Sequence, residues 1–315
     1  MTVPEVSGTA ARPRAQTRPR VRASAHIRRR RRLGWLFLLP LLATNGLVVF
    51  APSLANLYYA FTDWSGVGEA TWIGLENFER MLADPEFRSG LWHNVQWTAL
   101  FLTVPIGLGL VGAFLLSQIR RFQLTFRIIY FIPFVMASTV NAAIWQNLLD
   151  PDQGAGAELD RAGIGLLAGV SFFGDPDLAL ISVAFVDNWH FWGFLVLLFL
   201  AAMQSVDPEL YDAARVDGAG LWRQFWHVTL PGIRPTLVFA MVLVTIWSFL
   251  TFDYVYIITQ GGPAGATETA ATVLYKTVFE YGEAGYAAAM GVGLSAITIV
   301  LLLGYGLLRR LGWQI

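Results

Sequence analysis

The chain has 315 residues and no formal net charge; 55% of its residues are hydrophobic and only 14% are charged. Because soluble domains carry about 25% charged residues, this composition argues against a soluble globular protein and for a membrane protein. The absence of cysteine excludes disulfides, thiolate metal sites and a cysteine nucleophile, and the four scattered histidines show no second ligand at metal spacing.

The first 32 residues form a basic segment with ten arginines, many prolines and alanines, and no apolar face. Such a composition cannot bury a core, so we predict a disordered tail over residues 1–32. An apolar stretch follows at once, which favours a role in membrane orientation over nucleic-acid binding. That stretch is too long, and lacks the cleavage site, for a cleaved signal peptide.

Residues 33–315 are predicted to form one transmembrane domain, because six apolar stretches each reach the roughly 20 residues that cross a membrane. The spans are predicted at about residues 35–61, 93–118, 127–149, 179–204, 235–258 and 285–308. Asp187 and Asp253 are the only acids within them, and Arg127 lies at the boundary of the third. A further apolar stretch at Ala162 has 13 residues and is predicted to be a surface or re-entrant element.

The distribution of basic residues predicts the orientation of these spans. With six spans and the N-terminus inside, 18 of the 22 Arg and Lys residues are cytoplasmic and 4 are outside. This asymmetry agrees with the positive-inside rule, and a seventh span at Ala162 would weaken it. Both termini are therefore predicted to be cytoplasmic. The outer loops are rich in acids, which are either simply solvated or steer a soluble partner to the outer face.

The segment between spans four and five, residues 207–235, is polar and carries helix-boundary signals. Asp207 suits an N-cap, Pro208 suits the first helical position, and Gly218 suits a left-handed stop. A second short helix is predicted at about residues 221–228, and Pro231 and Pro235 are expected to close the segment. Two interpretations stay open at this point: a rigid contact for a soluble cytoplasmic subunit, or a self-packed amphipathic loop on the membrane surface.

This segment resembles the signature loop of ABC-importer permeases, in which an acid, two alanines and Asp-Gly-Ala are followed by Leu-Pro about a dozen residues later. The matching residues are Asp212, Ala213, Ala214, Asp217, Gly218, Ala219, Leu230 and Pro231. The leading acid is usually Glu in that family and is Asp here. In addition, "WIGLENFERMLADPEF" and "FDYVYIITQGGP" resemble the first and last outer loops of sugar permeases of the maltose and glycerol-phosphate type.

The resemblance covers about residues 33–310 and implies an all-α core of the ABC-importer type I permease in the plasma (inner) membrane of a bacterium. It implies a second permease subunit, two cytoplasmic ABC ATPases that bind the ATP and Mg²⁺, and an extracytoplasmic binding protein that delivers a sugar or a related polyol or glycerol phosphate. It also implies that the loop is a coupling helix in a groove of the ATPase. Asp212 and the alanines would contact that groove, and Gly218 would set the bend.

The sequence contains no G-x-x-x-x-G-K-[ST] phosphate loop and no nucleophile–base constellation, so a transport subunit without catalysis or a cofactor of its own is predicted. An ion-coupled secondary transporter or channel is the alternative, and a membrane sensor or scaffold is a third possibility. Ion-coupled carriers often show several intramembrane ionisable residues and repeated halves. Here only two acids and no clear repeat occur.

Those two acids have polar and aromatic neighbours, which suits a sugar path because carboxylates accept hydroxyl hydrogen bonds and rings cover apolar C–H faces. The candidate path residues are Asp187, Asn188, Trp189, Asp253, Tyr254 and Tyr256. The alternative is that both acids lie in the wet outer interface or cap a neighbouring helix.

Overall fold

A computed structural model describes residues 35, 37–119, 121–167 and 169–310, with side chains up to residue 307. The basic segment 1–32, predicted to be a disordered tail, lies outside the described residues. The chain divides into two units between Leu54 and Ala55. The described part of the first unit is helical, and every site discussed below lies in the second.

The regular secondary structure of the described residues is helical, apart from one isolated bridge between Thr62 and Trp72. In chain order the helices are α1 (Phe37–Tyr59), α2 (Glu76–Ala83), α3 (Pro85–Gln118), α4 (Gln123–Val135), α5 (Ser138–Leu148), α6 (Ala155–Arg161), α7 (Pro176–Met203), α8 (Pro208–Val216), α9 (Leu221–Gln224), α10 (Arg234–Phe249), α11 (Asp253–Ile258), α12 (Ala270–Phe279) and α13 (Ala284–Arg310).

Five helical stretches among the described residues are long and apolar enough to span a membrane. They are α1, α3, α7, α13, and α10 together with α11, which count as one stretch. Helices α4 and α5 pass the same test together but are bent by 97°, so the number is six if this pair counts as one span. The all-α membrane architecture expected from the sequence is confirmed. Around Ala162 the described residues contain no helix of spanning length.

The predicted third span, residues 127–149, is therefore two helices rather than one. Pro133 lies in the last turn of α4 and has no N–H with which to bond a preceding carbonyl. Met136 and Ala137 then adopt extended backbone angles, and the chain turns sharply into α5. The weakened end of α4 accounts for the bend.

The core of the second unit is built on α3 and α7. Trp97 and Phe101 of α3 are buried with Phe191, Leu195 and Phe199 of α7 in one cluster. Lipid is as apolar as these side chains, so close packing rather than transfer from water holds such helices together. Because glycine has no side chain, α3 can approach α7 closely at Gly109. A Cβ added to Gly109 would lie 2.9 Å from the Cβ of Leu195 in α7.

The closest backbone approach joins α4 to α7. A Cβ added to Gly193 of α7 would lie 1.7 Å from the backbone oxygen of Tyr130 in α4, so no side chain fits at this position. The contact fixes the position of α4, and with it the point from which the bent pair continues into α5.

We expect Gly193→Ala to lower the melting temperature of the purified protein, because the added methyl group forces α4 and α7 apart. Gly107→Ala in α3 is the matched control, since nothing lies within 4 Å of a Cβ there. That control should be neutral or stabilising by up to about 1 kcal/mol, the helix-propensity gain. Equal melting temperatures for the two variants would contradict the close approach.

Candidate functional site

The first helix of the segment between α7 and α10 has the boundaries predicted from the sequence. The Asp207 carboxylate accepts a hydrogen bond from the Glu209 amide at 2.9 Å and caps α8. Gly218 follows α8 with a φ of 76°, and the Ala219 amide donates to the Ala214 carbonyl at 2.9 Å. The N-cap and the left-handed stop are therefore confirmed as local geometry.

The second helix of this segment is longer than residues 221–228. Helix α9 continues through a π-helical turn, Phe225–Thr229, into a short helix, Leu230–Gly232. The expectation that Pro231 and Pro235 close the segment and lead into span five agrees with the structure, because the helical run ends at Gly232 and α10 begins at Arg234. Each lies in the first turn of a helix, where the missing proline N–H costs no hydrogen bond.

Two polar contacts stabilise the arrangement of α8 and α9, one from α8 to the π-helical turn after α9 and one from α9 to the turn before it. The Tyr211 hydroxyl lies 3.1 Å from the Thr229 hydroxyl, and the Gln224 side chain donates to the Ala219 carbonyl at 2.7 Å. On α8 itself, Arg215 pairs with Asp212 at the surface. Contacts within the segment therefore stabilise the pair.

The outer surface of this pair carries, besides charged residues, several apolar side chains that the described chain leaves uncovered. Helix α8 has no buried residue, and Val216 is 88% exposed. Ala213 is exposed and Ala214 half-buried. The large hydrophobic side chains exposed here are Leu210, Val216, Leu221, Trp222 and Trp226. A self-packed loop would cover them, so the geometry favours a surface that meets another component.

A second candidate site lies where span five is interrupted. Helix α10 ends at Phe249 and α11 begins at Asp253, with residues 250–252 non-helical between them. The Asp253 carboxylate is exposed and lies 3.5 Å from the hydroxyl of Ser138, the first residue of α5. The beginnings of α5 and α11 therefore meet at this carboxylate.

Asp187 of α7 belongs to the same region. Its carboxylate lies beside the Trp97 indole and interacts electrostatically with Asp253. The Trp97 indole nitrogen nevertheless lacks a partner with hydrogen-bond geometry. Asn188 is buried, and Trp189 packs edge-on against Trp145 of α5 at 5.4 Å. Since consecutive helical residues face different directions, Asp187 rather than Asn188 faces Asp253.

The two tyrosines after Asp253 point to different neighbours. The Tyr254 hydroxyl accepts a hydrogen bond from Asn141 at 2.9 Å, and its ring lies near His190. Tyr256 instead bonds the Tyr275 hydroxyl at 3.4 Å. The structure thus brings Tyr254 together with the two acids and places Tyr256 against α12.

Sequence reasoning missed Ser138 and Asn141, which the structure adds to this site. Asn141 is fully buried, and its carbonyl oxygen has no hydrogen-bond partner among the described residues. The available signal was the polar run "STVN" after Pro133, which interrupts an apolar span. No cluster of three potential metal ligands occurs among the described residues.

The first loop after α1 forms a polar cavity of about 430 Å³ with the start of α13. Arg80 bonds Glu283 at 2.6 Å and lies over the Tyr286 ring at 3.9 Å. The hydrogen bond that Arg80 donates to the Glu283 carboxylate raises the pKa of Arg80 above its ordinary value. Asp63 and Glu76 are exposed at this cavity and have no cationic partner in the described part of the chain.

Comparison with known families and proteins shows what this chain is similar to. The family described as binding-protein-dependent transport system inner membrane component matches residues 105–311. The probable ABC transporter permease protein YurN of Bacillus subtilis is 34% identical, over 85% of this chain and 92% of its own. The diacetylchitobiose uptake system permease protein NgcF of Streptomyces coelicolor is 33% identical, over 86% of this chain and 80% of its own.

The trehalose/maltose transport system permease protein MalF of Thermococcus litoralis is 29% identical, over 88% of this chain and 92% of its own. Among solved structures, a bacterial ABC transporter that imports the acidic polysaccharide alginate matches with a TM-score of 0.80 and 22% identity. That match covers 90% of this chain and 96% of the other. At this identity the likeness shows the shared fold.

Proposed function

Because the chain belongs to the family of binding-protein-dependent transport system inner membrane components, we propose that it forms, with a second permease subunit, the membrane path of a sugar importer. The family match over residues 105–311 carries this proposal. Relatives named for trehalose/maltose and diacetylchitobiose support a carbohydrate as the substrate. Multi-pass insertion in the inner membrane, surrounded by lipid, follows from the family and the apolar helices.

As the transmembrane component, this chain leaves ATP hydrolysis to separate subunits. We propose that α8 and α9 contact one of two cytoplasmic ABC ATPases, which hold the ATP and Mg²⁺. The exposed apolar surface of this pair supports the contact, and its small residues let another surface approach closely. The proposed coupling residues are Asp212, Ala213, Ala214, Asp217, Gly218, Ala219, Leu230 and Pro231.

The proposed sugar path runs along the interruption of span five. Asp253 and Asp187 supply hydrogen-bond acceptors for sugar hydroxyls, and Asn141 has a free acceptor beside Tyr254. Acids inside a membrane protein usually face a cavity or a partner rather than lipid. Asn188, Trp189 and Tyr256 remain candidate path residues, of which the structure favours the two aromatic ones over the buried Asn188.

An extracytoplasmic binding protein is the proposed source of the sugar. One solved structure of the alginate transporter, with a TM-score of 0.80 and 21% identity to this chain, contains a pentasaccharide-bound periplasmic protein. The unpaired acids Asp63 and Glu76 at the outer cavity offer negative charge to such a soluble partner.

Reconstitution in proteoliposomes tests the proposal as a whole. The chain, its second permease, the ATPase and the binding protein should together take up sugar only when ATP is present. Omission of the binding protein should abolish uptake. Sugar uptake driven by a proton or sodium gradient without ATP would instead support a secondary transporter, and the proposal would be wrong.

Gly218→Leu should uncouple ATP hydrolysis from uptake, because a side chain at φ 76° costs on the order of 1 kcal/mol or more and reshapes the bend. Gly220→Leu is the matched control: both glycines have open space around a Cβ, but φ is −67° at Gly220. We expect sugar transported per ATP to fall in the first variant only. If both variants transport the same amount of sugar per ATP, the bend at Gly218 has no role in coupling.

Asp253→Asn should lower uptake at sub-saturating sugar by about tenfold, the value of one hydrogen bond to a charged group. Asn keeps the size and one acceptor, so the loss reports on the carboxylate. Tyr256→Ala should also lower uptake, while binding-protein-stimulated ATP hydrolysis persists in both variants. Asp177→Asn, at an exposed acid in the first turn of α7, is the control. Wild-type uptake in both test variants would leave Asp253 a structural residue.

A further inference from the structure

The interruption of span five raises a physical problem that the path residues do not solve. A helix that ends inside a membrane leaves its last carbonyls unpaired, and each unsatisfied group in lipid costs several kcal/mol. Helix α10 ends at Phe249, and residues 250–252 are non-helical. The freed carbonyls must therefore find donors elsewhere in the protein.

Two fully buried side chains from other elements supply those donors. Asn94 in α3 donates from its amide nitrogen to the Ser248 carbonyl at 2.7 Å. Thr269, just before α12, donates from its hydroxyl to the Thr251 carbonyl at 3.0 Å. Both side chains have no exposed area. We call Asn94 and Thr269, with the two carbonyls that they bind, the break clamp.

The two halves of the break clamp are joined at the beginning of α12. The Asn94 side-chain oxygen accepts a hydrogen bond from the Ala270 amide at 3.0 Å, and Thr269 is the N-cap of the same helix. Gly90 of α3 makes the contact possible, since a Cβ there would lie 2.8 Å from the Ala270 nitrogen. One connected network thus bonds α3 and α12 to the non-helical stretch.

The outer loop that precedes α12 is bonded to the same network. The Glu268 carbonyl lies 2.6 Å from a ring nitrogen of His93, the neighbour of Asn94. The Glu268 carboxylate pairs with Lys276 at 2.7 Å, with both side chains largely buried. Asp253 follows Thr251 by two residues, so the clamp lies between the outer loop and the acid at the proposed path.

We infer that Asn94 and Thr269 are positioning residues for transport: they hold residues 250–252 out of the helix and thereby keep Asp253 against Ser138. The inference rests on the proposed role of Asp253 in the sugar path. Neither side chain contacts Asp253, so the effect passes through the backbone of the interruption. Loss of either donor leaves a buried carbonyl unpaired and favours rearrangement of this stretch.

Thr269→Val removes the donor to Thr251 while keeping a similar side-chain shape. In the reconstituted importer we expect sugar transported per ATP to fall about fivefold, the population shift that one ordinary hydrogen bond supports. Thr269→Ser keeps the hydroxyl and should restore coupling. Asn94→Ala, which removes the other half of the clamp, should act like Thr269→Val.

Thr272→Val is the matched control for helix capping. Thr272 forms the reciprocal half of the capping box with Thr269 but makes no bond to the interruption. Thr277→Val controls for a lost buried hydroxyl, since Thr277 donates to Val273 within its own helix. Both controls should retain coupling. An equal loss in Thr272→Val would show that capping of α12, and not the clamp, matters.

Cross-linking tests the geometry without any assumption about transport. In the full chain, which lacks cysteine, the double variant Ser138→Cys, Asp253→Cys should react with a short bifunctional thiol reagent. Adding Thr269→Val should slow this cross-link by about fivefold, and adding Thr272→Val should not. If wild-type chains show no ATP-driven uptake, the proposed function fails while this measurement still decides the clamp. Unchanged cross-linking in Thr269→Val overturns the inference.

Discussion

A membrane interior offers no hydrogen-bond partner for backbone groups, and this constraint governs the architecture of the chain. A helix can stop there only where another part of the protein supplies donors and acceptors. Helix α3 does so with Asn94, whose amide serves the end of α10 and the beginning of α12 at once. The same helix packs through Gly109 against α7, so the positions of three other helices depend on it.

The same constraint distinguishes the two candidate functional regions. At the interruption of span five, buried backbone carbonyls are bonded by side chains from other helices, such as Ser248 by Asn94 and Thr251 by Thr269. The backbone groups of α8 and α9 can instead form hydrogen bonds with water or with another subunit. The helix cap at Asp207 and two polar contacts within the segment are therefore enough to hold this pair. One region is therefore organised by satisfaction of buried groups, and the other by an uncovered apolar surface.

Features that depend on neighbouring residues were predictable from the sequence, and features that depend on distant ones were not. The cap at Asp207 and the stop at Gly218 are local and were predicted, as were the apolar spans. The interruption at residues 250–252 depends on Asn94, which lies 154 residues from Ser248, and no local pattern reports it. Likewise Asp187 and Asp253 stood out as lone charges, whereas Ser138 joins them only in three dimensions.

The contact between Gly193 and the Tyr130 carbonyl has a mechanical consequence. With no room for even a methyl group between the two backbones, α4 and α7 can neither slide nor rotate past one another without separating. A movement of α7 that keeps this contact therefore carries α4 with it. The first non-helical backbone after α4 is Met136–Ala137, so a rotation of α5 relative to α4 and α7 falls there.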